Sequence, residues 1–120
     1  MSTLGTQQEI FSRDMVKLFT YIHARGLEIR IGEVWRPQEM QDWYLRLGKT
    51  KTANSQHTKK LAVDIYVFRN GVMVNTATMQ EIGRFWESLS TFNRWGGSWR
   101  GLVEAGKSSF IDMPHFERKV

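Results

Sequence analysis

The sequence predicts a small α+β domain in which an antiparallel sheet of about four strands packs with three helices. Segments with the apolar spacing of helices alternate along the chain with short segments of strand character. The length of 120 residues suits one compact domain, and five Trp and seven Phe supply large side chains for a core. We therefore predict that residues 1–120 form a single domain.

The first predicted helix spans residues 7–25. Thr6 and Glu9 have the spacing of a capping box at its start, and Gly26 suits its end. The apolar residues of this helix recur at spacings of four, three and four: Phe11, Met15, Leu18 and Ile22.

Two further helices are predicted with the same reasoning. One begins at Pro37, which is tolerated in a first turn, and ends at Gly48. The other begins at Thr78, with Glu81 completing a capping box. Their apolar sides, which we expect to pack in the core, are Met40, Trp43, Tyr44 and Leu47 in one and Met79, Ile82, Phe85, Trp86 and Leu89 in the other.

The strands are predicted from alternation and turn signals. Residues 27–31 alternate between apolar and charged, and residues 61–68 form a second strand. Arg69-Asn70-Gly71 is a tight-turn signal that leads into residues 72–74. Residues 110–120 are predicted to form a closing strand, whereas residues 48–56 and the stretch RWGGSWRG at 94–101 are predicted to be loops.

The composition restricts the partners and the kinds of site. The chain has 17 Lys+Arg against 12 Asp+Glu, a formal charge of +5, which favours polyanions such as nucleic acid, anionic membrane surfaces or cell-wall polymers. It has no cysteine, so any metal site must use His, Asp or Glu. No apolar run approaches the length of a membrane span, and the polar N-terminal segment lacks the features of a signal peptide.

Asp64 is a carboxylate inside an apolar strand, and burying an unpaired carboxylate is costly. Alternation places Leu61, Val63, Ile65 and Val67 on the core face. Asp64 then emerges on the other face beside the small Ala62, and His57 lies in the loop that feeds the strand. The carboxylate either pairs with Lys59, Lys60 or Arg69, or converges with this histidine on a cation.

A second cluster lies near the C-terminus in the stretch IDMPHFE. His115 and Glu117 point the same way on a strand, and Asp112 lies three residues before His115. His57, Asp64 and His115 together make a complete ligand set for a catalytic zinc, with a fourth position open for water. Asp112 is the candidate for proton transfer. Glu117 is expected at the surface or in support of a ligand, and His23 is expected to be structural.

These motifs resemble a known family. Ser-x-His followed by Ala-x-Asp, and late in the chain Asp-x-x-His-Phe-Glu, is similar to the zinc D,D-peptidase superfamily. This superfamily includes D-Ala-D-Ala carboxypeptidases, vancomycin-resistance dipeptidases and bacteriophage L-alanyl-D-glutamate endopeptidase endolysins. The stretches GEVWRPQEMQDWYLRLG and RWGGSW match further family positions, so that the resemblance spans about residues 32–117.

The resemblance implies a role for each matching residue. His57, Asp64 and His115 would bind Zn²⁺, and Asp112 would be the catalytic acid and base. The residues implied to bind substrate or to support the site are Arg36, which would also stabilise an oxyanion, Ser55, which would steady the site by hydrogen bonding, and Trp95 and Trp99, which would shape the cleft wall. Two positions depart from the family pattern: Lys60 stands where Gly is usual, and Ser98 where Asp is usual.

Within the family, the short basic chain without a signal or anchor favours a phage endolysin-like peptidase. It would be made in the host cytoplasm, act as a monomer, and reach peptidoglycan through a separate permeabilising protein. The expected target is the L-Ala–D-Glu bond of the peptide stem. A D-Ala-D-Ala carboxypeptidase or dipeptidase is the alternative, with Lys49, Lys51 or Arg100 as candidates for holding a substrate carboxylate.

Two rival classes are disfavoured. The iron(II) facial triad also uses two His and one carboxylate, but it belongs to jelly rolls of about eight strands. A basic module that binds nucleic acid or glycan without catalysis needs exposed aromatic side chains. Because Trp35, Trp43 and Trp86 lie in predicted core-facing positions, no nucleic-acid partner is expected.

Overall fold

The structure, a computed structural model, describes residues 2–50, 54–99 and 112–120. Its helices are α1 (Leu4–Ala24), α2 (Gln38–Arg46) and α3 (Thr76–Ser88), with short 3-10 turns at Gln56–Lys59 and Gly96–Trp99. Its strands are β1 (Glu28–Ile31), β2 (Ala62–Arg69), β3 (Val72–Met73), β4 (Asn93–Trp95) and β5 (His115–Arg118). The predicted α+β class is confirmed, with five strands in the described residues instead of about four.

The sheet is antiparallel throughout and has the order β1-β2-β5-β4, with β3 added to β2 as a hairpin. Asn70 and Gly71 both have positive φ, as a two-residue hairpin turn requires. In the pairing of β2 with β5, Asp64 lies directly opposite His115. The register of the sheet therefore brings two distant parts of the chain to one point.

The core lies between the sheet and helices α1 and α3. The predicted inward face of β2 is confirmed, since Leu61, Val63, Ile65 and Val67 are all buried. Trp86 of α3 is fully buried and contacts Phe116 of β5 edge-to-face. The helical side chains of the same cluster are Phe11, Leu18, Ile22, Met79 and Ile82.

Strand β4 overlaps the start of the loop predicted at 94–101. It pairs with β5, so that Arg94 lies opposite Glu117 and Trp95 opposite Phe116. Gly83 makes room for Trp95, because a Cβ at this position of α3 would collide with the indole ring. The strand is therefore defined by long-range pairing and not by a pattern of its own. The closing strand β5 is shorter than predicted, and residues 110–111 lie outside the described part.

The first turns of α1 and α3 begin earlier than predicted. Thr3, not Thr6, caps α1, and its hydroxyl accepts a hydrogen bond from the Thr6 backbone N–H at 3.1 Å. Asn75, not Thr78, caps α3 by accepting from the Thr78 backbone N–H at 2.9 Å. In both cases a second capping residue lies three positions upstream, and it leaves the predicted cap inside the helix.

Helix α2 contradicts the prediction that its apolar side packs in the core. Gln41 is its buried residue, whereas Trp43 is 50% exposed. Trp35, just before the helix, is 55% exposed. Gln41 faces inward because its side-chain oxygen accepts a hydrogen bond from Arg36 at 2.6 Å. Among the described residues, no helix combines the length and hydrophobicity needed to cross a bilayer.

Candidate metal centre

Three side chains from separate parts of the chain converge at the end of the β2–β5 pair. They are His57 from the 3-10 turn, Asp64 from β2 and His115 from β5, and one ligand atom from each lies within 4.8 Å of the others. The two imidazole rings contact each other edge-to-face, with their centroids 5.0 Å apart. The predicted ligand set is thus assembled as a cluster that can hold a metal ion.

His57 is held from both its backbone and its ring. Its backbone N–H donates to the Ser55 hydroxyl at 3.2 Å, and Ser55 caps the 3-10 turn. Its Nδ1 lies 3.0 Å from the backbone carbonyl oxygen of Val34. Because a carbonyl only accepts, Nδ1 carries the proton and Nε2 keeps its lone pair. That Nε2 lies 3.2 Å from Oδ1 of Asp64.

Asp64 lies between the two histidines, with Oδ1 at 3.2 Å from His57 and 3.3 Å from Nδ1 of His115. Burial acts to raise the pKa of Asp64, but the interactions with His115 and His57 outweigh it, so the pKa lies far below its ordinary value. The carboxylate is therefore ionised at neutral pH. Its own backbone pairs with Glu33 and Gly32, which fixes its position on the strand.

His115 is buried between two carboxylates. Its Nε2 lies 2.6 Å from Oε1 of Glu117, while Nδ1 faces Asp64. Burial lowers the pKa of His115, but the hydrogen bonds to Asp64 and Glu117 outweigh burial and raise it to about 9. For Glu117, burial acts to raise the pKa, but the contact with His115 outweighs it and lowers the pKa. The raised pKa of His115 thus reports that the two carboxylates favour positive charge at this point.

The donor set fits a metal ion by its chemistry. In both histidines, the ring nitrogen that faces away from Asp64 meets an acceptor, the Val34 carbonyl in one and the Glu117 carboxylate in the other. When both rings are neutral, as metal ligation requires, the nitrogens facing Asp64 therefore have lone pairs to offer. Two imidazole nitrogens and one carboxylate oxygen are a ligand set that zinc uses in catalytic sites.

Asp112 lies beside the cluster in a tight turn. Its carbonyl accepts from the His115 backbone N–H at 3.2 Å, and its own N–H donates to the Gly96 carbonyl at 3.2 Å. Gly96 is required here, because a Cβ would collide with the Asp112 carbonyl oxygen. Burial raises the pKa of Asp112 above its ordinary value, and the positive charge of His115 opposes that effect.

The role of Trp95 in shaping the cleft wall stays a prediction, and the structure places its side chain against this turn. It is only 3% exposed, and its Nε1 donates to the Met113 carbonyl at 2.6 Å. The side chain of Trp99 lies outside the described part, as do Lys51 and Arg100. Lys49 lies within the described residues and is exposed, and its role in holding a substrate carboxylate stays a prediction.

Arg36 lies at the edge of the centre. Its backbone N–H donates to the His57 carbonyl at 3.1 Å, and its guanidinium pairs with Glu33 and with Gln41. Burial raises the pKa of Asp112, and the positive charge of Arg36 partly opposes that increase. The Nε of Arg36 is buried and has no hydrogen-bond partner among the described residues. A fixed guanidinium is suited to binding a substrate oxygen.

The two departures from the family pattern fall outside the ligand set. Lys60 adopts the left-handed conformation at φ 58° and ψ 36°, so the chain keeps the turn for which glycine is suited. Ser98 donates to Glu87 at 3.0 Å. His115 has Glu117 as its supporting partner, so Ser98 leaves no histidine of the cluster without one. His23 contacts the Leu27 carbonyl and is not part of the cluster.

Sequence reasoning missed several supporting groups. The Val34 carbonyl, Gln41 and Arg94 each hold a candidate site residue, yet none has a chemical signature in the sequence. Gln41 lies outside the predicted apolar side of its helix, so no pattern in the sequence marks it as buried. Backbone carbonyls leave no signal, because every residue has one.

An antiparallel α+β domain with a His–Asp–His centre, an adjacent carboxylate and a guanidinium has the equipment of a metal-dependent hydrolase. A family model described as D-alanyl-D-alanine carboxypeptidase matches residues 48–118, more than half of the chain. The chain therefore belongs to this peptidase family, within the superfamily that its motifs resemble. The prediction of an enzyme, a metallopeptidase acting on the peptide bonds of peptidoglycan, is confirmed by this assignment.

The fold is similar to that of a solved structure, the Serratia marcescens L-Ala D-Glu endopeptidase ChiX. The TM-score is 0.68, the sequence identity is 21%, and the match covers 91% of this chain and 77% of that chain. At this identity the likeness shows a shared fold. A comparison with curated protein sequences gives no match.

Proposed function

We propose that the protein is a zinc-dependent endopeptidase that cleaves the L-Ala–D-Glu bond in the peptide stem of peptidoglycan, in the manner of a phage endolysin. The observation that carries the proposal is the convergence of His57, Asp64 and His115 within 4.8 Å, with Asp112 in the adjoining turn. A ligand cluster and a carboxylate that can move protons are the two parts that hydrolysis of a peptide bond needs.

Zn²⁺ is proposed as the resident ion, with His57, Asp64 and His115 as its ligands. When bound, zinc supplies a Lewis acid that makes water a nucleophile at neutral pH and polarises the scissile carbonyl. The lone pairs of His57 Nε2 and His115 Nδ1 face the same carboxylate oxygen of Asp64. The three side chains therefore present their donors to one point without a change of ring orientation.

Asp112 is proposed as the general acid and base. The turn between Gly96 and His115 holds its backbone beside the ligand cluster. From there its carboxylate takes a proton from the attacking water and delivers it to the amine nitrogen of the leaving group. The half-buried position limits competition from bulk water for that proton.

Arg36 is proposed to bind the carbonyl oxygen of the scissile bond as negative charge develops on it. Contacts with Gln41 and Glu33 hold its guanidinium in place. A preorganised donor stabilises an oxyanion without the cost of reorganisation during the reaction.

The choice of bond separates two candidate reactions. The fold shared with a protein named L-Ala D-Glu endopeptidase supports internal cleavage of the stem. The family description, D-alanyl-D-alanine carboxypeptidase, supports removal of a terminal D-Ala as the second candidate. The formal charge of +5 supports retention on anionic wall polymers in either case.

Digestion of purified peptidoglycan, with added Zn²⁺ or with a chelator, tests both candidates. Mass spectrometry that finds new N-terminal D-Glu only with Zn²⁺ supports the endopeptidase. Release of D-Ala instead establishes the carboxypeptidase and overturns the endopeptidase assignment. Absence of any product from several wall types, with Zn²⁺ bound, overturns the proposed catalytic function. Lysis of permeabilised bacteria by the added protein, and not of intact ones, tests the endolysin-like role.

A further inference from the structure

We propose that Glu117, clamped by Arg94, is a positioning residue that sets the tautomer and ring orientation in which His115 serves the metal centre. This inference rests on the proposed metal site. It assigns a function to the ion pair between buried Glu117 and partly exposed Arg94, which the catalytic proposal does not use.

Both carboxylate oxygens of Glu117 are engaged, and by different partners. Oε1 lies 2.6 Å from Nε2 of His115, whereas Oε2 accepts from Arg94 Nε at 3.1 Å and from Arg94 Nη2 at 2.8 Å. Arg94 lies directly opposite Glu117 in the pairing of β4 with β5. The side chain of Glu117 is 6% exposed and that of His115 is 7% exposed, so the contact is shielded from water.

These contacts are compatible with one neutral tautomer of His115. The guanidinium fixes the carboxylate, and the ionised carboxylate only accepts. The proton of the neutral ring is therefore on Nε2, and the lone pair of Nδ1 points towards Asp64, 3.3 Å away. A partner that fixes the tautomer of a ligating histidine typically contributes to metal affinity.

Exchange of Glu117 for glutamine tests whether the carboxylate sets the tautomer of His115, because the amide has an oxygen that accepts and an NH₂ group that donates. The Arg94 guanidinium requires the amide oxygen, so the amide NH₂ faces His115. The ring must then accept at Nε2 and carry its proton on Nδ1, where the lone pair for the metal is needed. Removing the guanidinium as well frees the amide to rotate and to offer its oxygen to the ring.

The experiment measures Zn²⁺ affinity of the purified protein by competition with a chromophoric chelator. The variants are Glu117→Gln, Arg94→Met and the double variant, with Glu81→Gln as control. Glu81 also pairs with an arginine, Arg25 at 3.4 Å, but it does not contact the ligand cluster. We expect the Kd for Zn²⁺ to rise about 10–100-fold in Glu117→Gln. It should rise less in the double variant and stay unchanged in Glu81→Gln.

A spectroscopic measurement is independent of how well the variants fold. In the Zn²⁺-loaded wild type, long-range ¹H–¹⁵N spectra are expected to place the proton of His115 on Nε2. A proton on Nδ1 overturns the inference, as does an unchanged Kd in Glu117→Gln. Equal loss of affinity in the single and double variants also overturns it, since the recovery depends on the Arg94 clamp. If the wild type binds no Zn²⁺, the proposed metal site fails and the inference fails with it.

Discussion

The exchange Gly96→Ala should disable the enzyme through the position of Asp112. A Cβ on Gly96 would lie 2.9 Å from the carbonyl carbon and 3.1 Å from the Cβ of Asp112, and it would collide with the carbonyl oxygen. Carbon atoms in good contact are about 3.5–4.0 Å apart. The segments that contain Gly96 and Asp112 must therefore separate by roughly half an ångström or more.

The separation has two measurable consequences. Overpacking of this kind costs about 1–3 kcal/mol of folding free energy. A misplacement that approaches 1 Å at a reacting group lowers the rate about 10²-fold. We therefore expect kcat/KM for a stem-peptide substrate to fall by about two orders of magnitude, because the proposed acid and base is displaced.

The assay is hydrolysis of a purified stem peptide, with the melting temperature and bound Zn²⁺ measured on the same samples. Gly5→Ala is the matched control, since its Cβ would meet Thr3 at an ordinary 3.8 Å. It should leave both kcat/KM and stability near those of the wild type. A folded, Zn²⁺-loaded Gly96→Ala variant with full activity would refute the reasoning that this close approach positions Asp112.

Three further predictions address the proton carrier, the left-handed turn and the ion. Asp112→Asn should lower kcat by about 10²–10⁴-fold while leaving the Kd for Zn²⁺ near the wild-type value; equal loss of Zn²⁺ binding would make Asp112 a ligand instead. Lys60→Gly should be more stable than Lys60→Ala by about 1 kcal/mol in thermal unfolding, because alanine keeps the cost of the left-handed conformation and glycine avoids it; equal stabilities would show that Lys60 does not have positive φ in solution. Zn²⁺ at a hundred times its Kd should stabilise the protein by about 2.7 kcal/mol relative to protein with a chelator added, as measured by the shift of the melting temperature. His57→Ala should reduce that shift. A shift that persists in His57→Ala would place the ion elsewhere.

The sequence by itself determined the chemistry and the local structure of the site. Alternation along β2 placed Asp64 on the face opposite Leu61, Val63 and Ile65, and those three side chains are buried as predicted. Periodicity also predicted α1 and α3, because the spacing of apolar residues follows from the pitch of a helix. The turn at Asn70-Gly71 followed from residue types that tolerate positive φ. Each of these properties depends on near neighbours in the chain.

Only the tertiary structure decided which distant groups meet. The pairing of Asp64 with His115 depends on the register between β2 and β5, and the Arg94–Glu117 clamp depends on β4, a strand without a pattern of its own. Helix α2 shows the limit of periodicity, since its apolar side remained exposed once Arg36 held Gln41 inward. Spacing of apolar residues describes the two sides of a helix, but the packing of the rest of the chain determines which side faces the protein.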